Sequence, residues 1–205
     1  MTRLNFMQGE YDPPVPTRIV FGNRKTDPLK EEIKKLGGKR ALILSGRSVA
    51  ENTESVQRVV NVLCIFDDSI KVEVLTSSAK TAKDAAMSLK CEVGAIVKSL
   101  LLRTENNFIL CLVSGDKRCS LNKVKKILNL KDVSMADADQ VKKQSGFSIG
   151  GVSPIAHLNK NKVLIDTSLS RYEAVYAAAG HPNTIFKINY KQLIKLTEGT
   201  VEDIV

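Results

Sequence analysis

Apolar residues along most of this chain recur at helical spacing or gather in short runs, and each block closes at a turn or capping residue. Val56, Val59, Val60, Leu63 and Cys64 follow helical spacing behind Ser55, which is placed to cap that helix. Residues 72–75 read as a strand, and Thr81 opens a short alanine-rich helix ending near Leu89. Residues 94–103 (GAIVKSLLLR) and 108–113 (FILCLV) are apolar runs of strand length joined by Glu105, Asn106 and Asn107, which predicts two adjacent buried strands. Ser120 caps a helix through Leu128, and Asp137 caps another that stops before Gly146. Residues 146–157 form a glycine-rich loop. A strand over 163–165 ends at Asp166. Strands over 172–178 and 184–188, a helix over 190–196 and a strand over 201–205 complete the pattern.

The first quarter reads separately. Pro13, Pro14 and Pro16 force an extended entry. Residues 18–21 (RIVF) form a strand, Asp27 and Pro28 start a helix that Gly37 and Gly38 end, and residues 40–44 form a second strand. Residues 46–53 (GRSVAENT) are small and polar without periodicity and read as a linker. Two parts follow: a small β-α-β fragment with its linker over 1–53, and one continuous domain over 54–205. Strands and helices mix without a strict β-α-β rhythm, so the domain is placed in the α+β class with a mixed sheet.

Composition narrows the function. In 205 residues, 43% hydrophobic and 26% charged usage is that of a globular chain, not of a disordered, collagenous or coiled-coil one. No apolar run approaches the roughly 20 residues of a membrane helix. The N-terminus lacks the apolar core of a secretory signal. The net charge of +9 is spread: ten basic and six acidic residues fall in 1–53, and 21 and 16 in the rest. A basic surface favours polyanions such as nucleic acid. Cys64, Cys91, Cys111 and Cys119 have no CxxC spacing; Cys64 and Cys111 sit inside apolar runs and read as small core residues. This fits a reducing cytoplasm. With only His157 and His181 besides, no metal site and no cofactor is expected.

Four features could carry chemistry. Lys98 lies mid-strand and shares a face with Ile96, Leu100 and Leu102. A cation there either aims into a pocket to meet an anion or reaches out to water. The loop over 146–157 (GFSIGGVSPIAH) lets backbone N–H groups approach a ligand, or is simply a tight connection. Ser114, Gly115 and Asp166 stand at strand ends, where polar residues line clefts; Asp166 equally suits the cap of the next turn. His157 is a candidate for positioning substrate or for packing. No GxSxG elbow and no Ser/His/Asp or Cys/His set is recognisable, so a hydrolase of this sequence would lack a protein nucleophile.

Residues 55–205 resemble the YbaK/ProX family of aminoacyl-tRNA deacylases and the editing insertion of bacterial prolyl-tRNA synthetase. The segments that carry the likeness are VGAIVKSLLL (93–102), LVSG (112–115), ADADQV (136–141), GFSIGGVSPIAH (146–157) and VLID (163–166), in family order. The resemblance implies a mixed sheet or partial barrel surrounded by helices. It also implies hydrolysis of the ester joining a wrong, small amino acid to tRNA-Pro or a related tRNA. The family's lysine maps to Lys98 as the catalytic residue. Its GxxxP loop maps to Gly150 and Pro154, with Gly151, Val152 and Ser153 between. The strand-end aspartate maps to Asp166, and His157 follows the histidine of the ProX-like branch. The implied substrate-binding set is Ser114, Gly115, Gly150, Gly151, Ser153, Pro154, His157 and Asp166. The implied partners are the acceptor end of an aminoacylated tRNA and prolyl-tRNA synthetase, with no membrane. Water would attack with help from a ribose hydroxyl, Lys98 would anchor a phosphate or offset charge on the carbonyl, and the loop would set pocket size.

Two other readings stand beside it. A non-catalytic tRNA- or synthetase-binding module could keep the same fold. Residues 16–45 resemble the first strand–helix–strand of iron-dependent alcohol dehydrogenases and maleylacetate reductases. The metal-binding part of that family has no counterpart here, so a fused fragment without dehydrogenase activity is expected.

Overall fold

A computed structural model describes residues 9–11, 19–21, 47–75 and 81–205, with side chains from residue 54 onward. The chain divides into two compact units, residues 1–45 and 46–205. In the first, β1 (Gly9–Tyr11) and β2 (Ile19–Phe21) pair antiparallel, Glu10 opposite Val20. The helix and second strand expected over 28–44 lie outside the described residues.

The second unit opens with α1 (Arg47–Phe66). This corrects the expected linker over 46–53, most of which is helix, and the expected cap at Ser55. Ser55 lies inside the helix and is buried, and its hydroxyl donates to the carbonyl of Gly146 at 3.4 Å. The first two turns of α1 are polar and carry no apolar stripe, so periodicity could not reveal them. Val59 and Leu63, four residues apart, point into the core. Cys64 is exposed, contrary to its reading as a core residue, because it stands one position round the helix from that stripe.

After β3 (Val72–Val74), α2 (Ala82–Leu89) begins with the capping box of Thr81 and Asp84. A 3₁₀ turn (Val93–Ala95) leads into β4 (Ile96–Thr104), which forms an antiparallel hairpin with β5 (Phe108–Ser114). α3 (Leu121–Leu128) is capped by Ser120, and α4 (Ala138–Ser145) by Asp137. Between them lies β6 (Val133–Met135), too short to show a pattern. There follow β7 (Lys162–Asp166), a 3₁₀ turn (Thr167–Arg171), β8 (Ala174–Ala178), β9 (Thr184–Asn189), α5 (Tyr190–Thr197) and β10 (Thr200–Glu202).

Among the described residues these strands form one eight-stranded mixed sheet in the order β10-β7-β5-β4-β8-β9-β3, with β6 also joined to β4. The pairs β10–β7, β5–β7 and β4–β8 are parallel and the rest antiparallel. β5 is the buried spine: Leu110, Cys111, Leu112 and Val113 are wholly inaccessible. Its two faces feed two cores. Leu110 and Leu112 pack with Leu101, Phe147 and Phe186, while Cys111 and Val113 pack with Leu102 and Val124 of α3. Burying each such side chain contributes about 1.5–3 kcal/mol.

Candidate active site

β4 has unequal edges. β5 runs along the whole of one. The other is shared: β8 pairs with Ile96 and Val97, and β6 pairs with Leu102, Arg103 and Thr104. Among the described residues, no strand pairs with 98–101 on this second edge. A cavity of about 400 Å³ opens at this gap, lined by Lys98, Ser99 and Leu101 of β4, Val141 of α4, and Gly150 and Val152 of the glycine-rich loop. Its volume is at the small end of ligand pockets, which run from about 300 to 1,000 Å³. The walls are chiefly aliphatic, and among the described residues they hold no histidine, cysteine or carboxylate.

Lys98 is half-buried. Its ammonium donates to the carbonyl of Lys117 in the turn after β5. Burial lowers its pKa, and the charge of Asp116 acts in the opposite direction. That turn is braced. Arg171 grips Asp116 with two nitrogens, at 2.7 and 3.1 Å. This hydrogen bonding holds the Asp116 carboxyl down at about 2. Arg171 also donates to Ser114 Oγ at 2.9 Å, and Ser114 in turn donates to the carbonyl of Gly94. A Cβ on Gly115 would stand 2.1 Å from the Val93 carbonyl oxygen. Ser114 and Gly115 are absent from the cavity wall. They hold the turn that receives Lys98.

The glycine-rich loop needs glycine at two successive positions. Gly150 has φ +90°, and a Cβ on Gly151 would lie 2.8 Å from the backbone of His181, which has no freedom to give way. Ser153 and Pro154 are buried beneath the loop, and the Ser153 hydroxyl accepts from Ile155 N at 3.4 Å. His157 Nε2 donates to the Ser153 carbonyl at 2.6 Å, and its Nδ1 accepts from Asn161 Nδ2 at 2.7 Å, an assignment that follows from the network. The ring meets Phe147 edge-on at 5.6 Å, and the Arg58 guanidinium covers Phe147 at 5.2 Å. Burial, with Arg58 adding to it, lowers the His157 pKa against the Ser153 bond. Both ring nitrogens are engaged by the protein itself, one by the loop and one by Asn161 beyond it. Gly151, Ser153, Pro154 and His157 shape the wall from behind without lining it.

Asp166 lies elsewhere. It is wholly buried, accepts from Ser168 N at 2.9 Å and from the Ser168 hydroxyl, and accepts from Ile204 N at 2.8 Å. It caps the 3₁₀ turn and pins the strand-end segment after β10. Of the residues expected at the site, Lys98 and Gly150 share the cavity wall. Ser99, Leu101 and Val141 line it without having been singled out. Ser99 had a signal: it is a polar residue between Val97 and Leu101 on the strand face opposite Lys98. Among the described residues, no group of three or more His, Cys, Asp or Glu side chains is placed to hold a metal ion.

The sequence pattern of the aminoacyl-tRNA editing domain matches residues 76–196. An uncharacterized protein, YwhH, of Bacillus subtilis is 32% identical over 130 residues, covering 63% of this chain and 82% of that one. A proline–tRNA ligase of Bacillus velezensis is 30% identical over 125 residues, covering 60% of this chain but only 22% of the ligase. A crystal structure described as a candidate trans-editing enzyme for prolyl-tRNA synthetase superposes with a TM-score of 0.70 at 36% identity, over 73% of this chain and 96% of that one. No described helix is long and apolar enough to cross a membrane.

Proposed function

This chain belongs to the aminoacyl-tRNA editing domain family, and from that premise we propose that it hydrolyses the ester between a tRNA and a small, wrongly attached amino acid. The tRNA is tRNA-Pro or a related one, and the chain works in trans beside prolyl-tRNA synthetase in the cytoplasm. The observation that carries the reading is the small aliphatic cavity at the gap in the sheet, which has Lys98 and Gly150 in one wall. The aliphatic walls would bound the acyl group and so supply the second sieve of editing.

The wall supports substrate-assisted chemistry. Among the described residues it offers hydroxyls on Thr81, Ser99 and Thr184 but no imidazole or carboxylate to activate them. An aminoacyl ester is already activated, so a water oriented by the neighbouring ribose hydroxyl suffices as nucleophile. Lys98, released from the Lys117 carbonyl, would take the terminal phosphate or offset charge growing on the scissile carbonyl oxygen. The backbone at Gly150 would bound the acyl group. The net charge of +9 would aid tRNA capture and make it salt-dependent.

The test is a deacylation panel of tRNAs charged with alanine, cysteine, serine or threonine, run with the wild type and Lys98→Ala. We expect the wild type to discharge at least one. Lys98→Ala should lose about a hundredfold in rate, the scale of one lost electrostatic contact, with an unchanged melting temperature. Binding of the charged tRNAs without turnover would instead identify a non-catalytic module.

A further inference from the structure

Ser99 stands in the cavity wall, and three of its hydrogen-bonding groups lie where the strand pairing of β4 is interrupted. Its hydroxyl oxygen is buried and has no partner. Its backbone stands in the gap of β4, where pairing with β8 stops at Val97 and pairing with β6 begins at Leu102. The carbonyl of Leu101 accepts from Ala136 N at 3.0 Å on this same edge. Backbone groups alternate sides along a strand, so the N–H and C=O of Ser99, two residues earlier, also point into the gap. An interior strand with an unpaired amide, carbonyl and hydroxyl at one residue is costly to leave dry. It is also the pattern that accepts an added strand.

Building on the editing reading above, we propose that the aminoacyl group fills this gap as a strand one residue long, paired with Ser99. Its α-ammonium donates to the Ser99 carbonyl, and its ester carbonyl accepts from the Ser99 amide. An aminoacyl ester carries this donor and acceptor at the spacing of a peptide residue, so it completes the missing rung. In such a pair the two side chains share a face. The substrate's side chain therefore lies beside Ser99 Oγ, on the face of Leu101, whose core also holds Ala136, Val141 and Val152. One unpartnered hydroxyl in an aliphatic bed selects a short side chain with a hydroxyl of its own: seryl over alanyl. The Ser99 amide also sits where the ester oxygen gains charge during attack by water.

The test uses 3′-amino-3′-deoxyadenosine acylated with serine, alanine or propionate; these amides mimic the tRNA terminus and resist hydrolysis. Binding is measured by calorimetry for the wild type and Ser99→Ala. The wild type is expected to bind the seryl amide about five- to tenfold more tightly than the alanyl one, the scale of one hydrogen bond. Ser99→Ala should erase that ratio without lowering the melting temperature, since it deletes a hydroxyl the free protein does not satisfy. The propionyl amide, which lacks the α-ammonium, should bind at least tenfold more weakly than the alanyl amide in both proteins. An unchanged seryl-to-alanyl ratio in Ser99→Ala, or propionyl binding equal to alanyl, overturns the proposal. If tRNA deacylation proceeds while these ratios stay flat, this pairing alone is wrong. If the ratios behave as stated but no charged tRNA is hydrolysed, the pairing stands and the editing reading falls. If the wild type neither binds the amides nor hydrolyses charged tRNA, both fall.

Discussion

Replacing Asp166 with alanine separates a clamp from a substrate contact. The carboxylate is wholly buried and accepts from Ser168 N and Ile204 N at 2.9 and 2.8 Å, and from the Ser168 hydroxyl. Bonds to a charged acceptor contribute about 1.5–3 kcal/mol each. Ser168 is partly exposed, so water replaces much of what its groups lose. Ile204 is fully buried, so its amide would be stranded. Counting the Ile204 bond in full and the Ser168 pair at half weight gives a loss of about 3–6 kcal/mol. For a domain of this size, 1 kcal/mol shifts the melting temperature by about 2–4 °C. A fall of about 10 °C is therefore expected, measured by calorimetry at neutral pH. Deacylation per folded molecule, assayed well below the transition, should stay within about twofold of wild type, since a clamp outside the cavity wall leaves the barrier nearly unchanged. The reasoning fails if the variant melts within 2 °C of wild type yet loses activity. Asp166 would then be touching substrate.

Two further outcomes follow from the loop. His157 is held neutral by burial, with a lowered pKa in the fold. Its share of stability is complete above the unfolded value near 6.5 and is lost as pH falls through that value towards the folded one. Melting temperatures followed from pH 7.5 to 5 should drop less for His157→Gln than for wild type, and parallel curves would refute this. Ala156 has φ +60°, a conformation that costs an L-residue about 1–2 kcal/mol. Ala156→Gly should raise stability by about 0.5–1 kcal/mol once glycine's own entropy cost is deducted, read from the denaturant midpoint.

Local chemistry made much of this fold legible. The β4–β5 hairpin announces itself by two apolar runs around Glu105, Asn106 and Asn107, and the caps at Thr81, Ser120 and Asp137 mark their helices to the residue. The start of α1 at Arg47 was hidden because its first turns carry no apolar stripe, and β6 because three residues show no period. At the site, the fold brings Lys98 and Gly150 to one wall. The duties of Ser114 and His157 depended on Arg171 and Asn161, whose partnerships exist only in three dimensions. Ser99 was within reach of the two-residue alternation that drew attention to Lys98. Its importance came from strands ending on either side of it, which spacing alone does not reveal.

The cavity's walls come from places far apart in the chain: β4 near residue 98, the loop near 150, and β9 at Thr184 and Ile185. The hairpin can close early, since its partners are neighbours, whereas β3 must wait for β9, more than a hundred residues on. During synthesis, then, the sheet's centre can form while the ribosome is still adding the residues that finish the pocket. A nascent chain can complete these walls only after Thr184 and Ile185 have emerged.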